Sequence, residues 1–239
     1  MTPKKRKTAA ERKFSKRQIR THYSGIIPHK KGKVNMTKLT FKITFTDDLL
    51  GTCSGNADIH REFIASKAPD AQKIEDEIAA LGVDGVEEKQ MTIFPKLPDG
   101  TPFLWDYQIR GFFKEICGAM RGIDGTKSSK VKAYKKKVDN TIFVEPREIP
   151  LDLDGMQIDN CQRPLRAQTM QGERVALANS EVCPEGTSCK FSVLCMIDDD
   201  VELVREWMKY GRHKGIGQWR NSGKGRFTFE EISCEEVDD

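Results

Sequence analysis

Long apolar runs are missing from this 239-residue chain. No window of about 18 apolar residues exists, so a membrane-spanning helix is not expected. The first residues are basic and carry no apolar stretch, so no secretory leader is expected either. Histidine is scarce: His22, His29, His60 and His213 are the only four, and none pairs at a zinc-like spacing. Seven cysteines form no Cys-x-x-Cys pair; Cys183, Cys189 and Cys195 simply recur every six residues. That usage suits a reducing cytoplasm better than a disulfide scaffold. Asp198-Asp199-Asp200 lacks the periodicity of an EF-hand. There is no Walker A lysine pattern and no serine nucleophile elbow. Neither a metal nor another cofactor is expected.

Charge is abundant but unevenly placed. Hydrophobic residues make up 37% and charged residues 32%, which is polar for a globular chain without being a disordered composition. The net charge of +4 hides an asymmetry. Residues 1–34 hold 12 Lys/Arg against Glu11 alone, or +11, leaving the rest with 28 bases against 35 acids, or −7. Residues 1–36 therefore read as a basic, mobile arm, residues 37–233 as a folded body, and residues 234–239 as an acidic tail. Within the body, a Lys-rich insertion at 122–140 carries Lys127, Lys130, Lys132, Lys135, Lys136 and Lys137. Such polarity points to a polyanion partner. The run Pro3-Lys4-Lys5-Arg6-Lys7 also fits a nuclear-import signal, although cytoplasmic residence is the favoured expectation.

Hydrophobic spacing supplies the elements. Leu39, Phe41, Ile43 and Phe45 alternate with polar residues and predict a strand over 39–46. Short helices are predicted over 59–67 and 70–81, and a strand over 91–94. Trp105, Ile109, Phe112, Phe113, Ile116, Cys117 and Met120 form the stripe of a helix over 105–121. On that helix Arg110, Lys114 and Arg121 lie within roughly 40° of one another, offering a cationic face. Short strands are predicted at 141–144 and 174–177, with an irregular, Pro-punctuated stretch at 146–170 that includes Arg163 and Arg166. A second strong strand covers 189–196. A helix follows at 201–210, capped by Asp198-Asp199-Asp200 and closed by Gly211, then a final strand over 226–232. Strand, helix, strand, repeated twice, is the pattern of an α+β fold: a modified ferredoxin-like or RRM-like antiparallel sheet with helices on one face and long insertions.

The densest local signal lies between the last helix and the last strand. Gly215, Gly217, Gly223 and Gly225 surround Trp219, Arg220, Lys224 and Arg226. Glycine admits positive φ and close backbone approach, and successive exposed amides form an anion-binding concavity. The order helix–loop–strand is the reverse of the dinucleotide-binding fingerprint. Phe227 and Phe229 share a strand face and read as core rather than as a base-stacking surface.

This loop resembles the C-terminal Gly-rich loop of the CRISPR-associated RAMP superfamily. Three further stretches are similar to its backbone-subunit branch in the same order: Phe45 to Gly55, Ile109 to Lys114 with Arg121, and Ser180 to Thr187 followed by Phe191. The resemblance implies an RRM-like fold that grips single-stranded RNA along its phosphates and stacks beside copies of itself or CRISPR effector subunits. It also allows a stand-alone phage or prophage relative. The phosphate-contacting set would be Gly215, Gly217, Trp219, Arg220, Gly223, Lys224, Gly225 and Arg226, extended by Arg110, Lys114, Arg121, Lys132, Lys135, Lys136, Arg163 and Arg166. Cleaving relatives carry a loop aspartate, and Asp58 with His60 would fill that role in a metal-independent endoribonuclease. A non-catalytic binder is the leading expectation. The alternatives are that ribonuclease and a phage protein that blocks a CRISPR effector.

Overall fold

The computed structural model describes residues 36–55, 91–169 and 172–237. The basic arm, the nuclear-import run, both helices predicted between 59 and 81, and the Asp58/His60 pair lie outside the described residues.

Alternation at period two creates the central strands. In β1 (Met36–Phe45), Leu39, Phe41, Ile43 and Phe45 are buried. In β10 (Ser188–Cys195), Cys189, Phe191, Val193 and Cys195 are buried in the same way. The two strands pair antiparallel, Phe41 opposite Phe191. β11 (Phe227–Val237) adds to the outer side of β1, and β6 (Ile142–Glu145) to the outer side of β10. Two helices complete the unit. α1 (Asp106–Met120) links β1 to β6 through the chain, and α3 (Asp198–Lys214) links β10 to β11. Counting these four strands in chain order, their spatial order is fourth, first, third, second, all antiparallel. That order is the ferredoxin-like α+β arrangement expected from the sequence.

A period of 3.6 residues decides what the helices bury. α1 inserts Ile109, Phe112, Phe113, Ile116, Cys117 and Met120, and α3 inserts Val201, Leu203, Val204, Trp207 and Met208, into one core shared with the sheet. Phe227 is buried against Phe45 and Phe112, and Phe229 packs edge-on to Phe41. Both phenylalanines thus serve the core. The thiols of Cys183, Cys189 and Cys195 are pushed up to about 12 by burial, as small apolar fillers would be.

Two expectations need correction. The stretch 146–170 is not irregular. It holds β7 (Glu148–Asp152) and β8 (Asp159–Thr169), and the short strand at 174–177 is part of β9 (Gly172–Cys183). β8 and β9 form a long hairpin with Arg163 opposite Ala178 and Pro164 opposite Leu177. Among the described residues β8 pairs only with β9, an edge position of the kind where a proline is tolerated. Gly211 does not close α3 either. The helix runs to Lys214, and Gly211 is glycine because a Cβ there would stand 2.1 Å from the Phe112 ring.

The remaining strands are short. β2 (Leu49–Leu50) and β4 (Met91–Ile93) flank β9, and β3 (Cys53–Ser54) borders β4; with β8 they form the second sheet. β5 (Phe103–Trp105) extends the first sheet through β7. The acidic stretch from residue 234 begins inside β11, with Glu235 opposite Lys38 and Glu236 opposite Thr37.

The Lys-rich insertion contains a 3-10 turn at Ser128–Lys130 and α2 (Tyr134–Thr141). It is pinned to α3 by a buried serine. Ser128 Oγ donates to Glu206 Oε1 at 2.6 Å and accepts from Trp207 Nε1 at 2.9 Å. Burial works against ionisation of Glu206. The Ser128 hydroxyl and the amides of Lys127 and Ser128 outweigh it and hold the carboxyl below its ordinary 4.5. Ser128→Ala strands the indole N–H and part of that carboxylate, so urea unfolding should show a loss of about 2 kcal/mol at neutral pH. A carboxyl held low stabilises the fold above its unfolded pKa. The loss caused by Ser128→Ala should therefore shrink as pH falls below 4.5.

Candidate nucleic-acid interface

α3 stops at Gly215, whose φ of +83° ends the helix while its amide still donates to Gly211 O at 2.9 Å. The loop that follows is closed at its base. Ile216 N–H donates to Gly225 O at 2.9 Å, Gly225 N–H to Asp48 O at 2.8 Å, and Thr46 N–H to Arg226 O at 2.9 Å. Ile216 is buried in the core beneath this closure. Farther out, Trp219 (φ +55°) and Gly223 (φ +89°) bracket a 3-10 turn at Arg220–Ser222. There Ser222 N–H reaches Trp219 O at 3.0 Å, and Gly223 N–H reaches Arg220 O at 2.9 Å.

The loop is therefore divided. The amides of Gly215, Ile216, Ser222, Gly223 and Gly225 bond to the chain's own carbonyls, so Gly215, Gly223 and Gly225 shape the loop instead of offering N–H groups outward. The amides from Gly217 to Asn221 have no partner among the described residues. Lys214, Gly217, Gln218, Trp219, Arg220 and Asn221 line an open hollow of about 360 Å³ beside them.

Carboxylates from distant elements meet the loop cations. Arg220 pairs with Glu115 of α1, which also lies 3.9 Å from Lys214. Lys224 pairs with Asp48 at 2.5 Å, and that bond raises the lysine pKa against a smaller opposing effect of burial. Arg226 is exposed and has no ion pair among the described residues. Glu115 and Asp48 were not legible as site residues, and neither was Lys214. The two acids are brought in only by tertiary packing.

Arg163 joins this group from β8. Its guanidinium lies over the Trp219 ring at 4.2 Å from the centroid, and it is 7% exposed. One nitrogen reaches Gln218 Oε1 at 3.3 Å, while Nε and Nη1 have no hydrogen-bond partner among the described residues. Gln218 is itself held by donating to Gly51 O at 2.9 Å. A guanidinium buried without a carboxylate is costly, so its surroundings suit an anion.

The other predicted cations are placed elsewhere. Arg110 donates to Asp106 at 2.8 Å, Lys114 pairs with Asp139 of α2, and Arg121 covers the Tyr134 ring at 5.2 Å. The cationic face expected on α1 is largely matched by its own neighbours. α1 meets the loop through Glu115 instead. Lys132, Lys135 and Lys136 are exposed on and just before α2. Arg166 sits in β8 opposite Val175. Among the described residues, no three His, Cys, Asp or Glu side chains are grouped to hold a metal ion, and no helix is long and apolar enough to cross a membrane.

No known family profile matches the chain, and no curated protein matches it. Among solved structures 135 chains match. One is a chain of the Type III-B Cmr-beta structure, determined by cryo-EM bound to cognate target RNA. It aligns with a TM-score of 0.47 and 10% identity over 85% of this chain and 61% of that one. The present chain thus spans less than two thirds of that neighbour's length.

Proposed function

We propose that the protein binds single-stranded RNA along its phosphates through the loop face from Lys214 to Asn221, without cleaving it. The observation that carries this reading is the hollow itself. It combines consecutive amides that have no partner among the described residues with two cations, on a loop closed firmly enough to be preformed. The Glu115 pairings do not block it. Ion pairs this exposed are worth about 0–1 kcal/mol, so a phosphate can replace Glu115 as the acceptor for Arg220 at little cost. Arg226 and the exposed Lys132, Lys135 and Lys136 supply further contacts. The sequence resemblance supplies the setting: side-by-side assembly with copies of itself or with CRISPR effector subunits, in the cytoplasm.

Filter binding of a 12-nucleotide oligo-U from 50 to 400 mM KCl tests the proposal. With about four to six phosphates neutralised, log K should fall against log salt with a slope of about −3 to −4. Changing both Lys214 and Arg220 to glutamine should make the slope shallower by about 1.4. A flat response, or no binding at low salt, rejects the reading.

A further inference from the structure

We propose that Trp219, backed by Arg163, is a stacking platform for one nucleobase, so that the hollow receives a whole nucleotide and not a bare phosphate. This rests on the RNA-binding reading and deepens it.

The tryptophans differ sharply in setting. Trp105 and Trp207 are 1% and 0% exposed, whereas Trp219 is 38% exposed. Nothing in core packing requires the loop to carry its indole at the surface. Moreover the backbone holds it at φ +55°, a conformation that costs a bulky side chain about 1–3 kcal/mol. Such strain persists only where the surroundings fix it. Here the closed loop base, the 3-10 turn and the Gln218 bond to Gly51 O do so.

Arg163 holds the ring in a second way. A guanidinium at 4.2 Å occupies one face, so the indole cannot swing toward the protein without exposing a buried charge. The rest of the ring borders the hollow, with Lys214, Arg220 and the amides of Gly217–Asn221 along its other walls. A volume of about 360 Å³ is at the small end for organic ligands. A base laid on the indole places its phosphate among those donors. The same phosphate brings negative charge near Arg163, which has no carboxylate partner among the described residues.

Tryptophan emission provides the test, because Trp219 is the exposed fluorophore. The full chain is titrated with a 12-nucleotide oligo-A and with a 12-unit abasic ribose-phosphate strand, in 50 mM KCl. Oligo-A should quench the emission and shield it from acrylamide, and the abasic strand should bind about tenfold more weakly. Trp219→Asn keeps a residue that accepts positive φ and should lose that tenfold preference, while Trp219→Phe retains most of it. Arg163→Met should reduce the preference too. Equal affinity for both strands, with the salt slope intact, overturns the platform and leaves phosphate binding standing. Absence of binding by either strand overturns both. Acrylamide shielding in the unmodified protein decides the matter even if a variant fails to fold.

Discussion

Gly225→Ala is expected to lower stability by about 3 kcal/mol or more and to abolish RNA binding at moderate salt. Gly225 has φ +72°, and a Cβ there would stand 1.8 Å from Ile216 O. That neighbour cannot yield. It belongs to the opposite limb of the loop, which is tied to Gly225 by the Ile216 N–H bond, while Gly225 N–H is tied to Asp48 O. The added methyl must force the limbs apart, lift Ile216 from the core and distort the amides beyond it. Gly223→Ala is the control. Its φ is similar at +89°, but the nearest atom is the Arg226 guanidinium carbon at 3.5 Å, the mobile end of a long side chain. It should cost only the conformational strain, about 1 kcal/mol, and keep most of the binding. Gly111→Ala reverses the sign. Nothing lies within 4 Å of its Cβ position on an exposed helix face, so a gain of about 0.5–1 kcal/mol is expected. Urea unfolding of the three variants, with filter binding alongside, checks the ranking. Equal losses at Gly225 and Gly223 would mean that the limbs are not closed as described.

The parts of the fold that were legible are those with one buried face. Leu39, Phe41, Ile43 and Phe45 alternate because only one side of β1 meets the helices, and the α1 stripe repeats for the same reason. The β8–β9 hairpin has no comparable signature. Leu177 is 63% exposed, and the sequence around Arg163-Pro164 alternates nothing, since a hairpin held by backbone pairing needs no apolar face. Gly211 carried a correct signal for the wrong cause. It looked like a helix stop, but its requirement comes from the Phe112 ring 99 positions away in sequence. The loop glycines were legible as a bend, because such a density of them has few other uses. How their amides divide between internal bonds and an open face was not, because that depends on Asp48 and on Ile216 reaching the core. The exposure of Trp219 and its contact with Arg163 were not legible either, because Arg163 reaches the ring from a strand more than fifty positions away.

Lys137 shows how a charge run misleads when read as a surface. In sequence it is the last lysine of the six-lysine insertion, part of the polarity that points to a polyanion partner. In the fold its Nζ stands 2.6 Å from Oδ1 of Asp200, a carboxylate with 0% exposure, and Thr141 Oγ1 donates to Oδ2 at 2.6 Å. Asp200, expected to cap α3, instead sits in its first turn, where the helix dipole favours a negative charge. Lys137→Met leaves that carboxylate buried with one hydroxyl and the dipole for support. A loss of about 3 kcal/mol is expected, the low end for a broken buried pair, because Lys137 is itself a quarter exposed and water can approach. The midpoint of urea unfolding should fall with an unchanged slope. Adding Asp200→Leu to Lys137→Met should restore much of the loss, since it removes the stranded charge. The salt dependence of RNA binding should not change in Lys137→Met, because this ammonium is already committed. Changing both Lys135 and Lys136 to glutamine should do the opposite, making the slope shallower while leaving the unfolding midpoint within about 0.5 kcal/mol of the parent. A shallower slope in Lys137→Met, without a stability loss, would place Lys137 on the RNA track and remove its structural role.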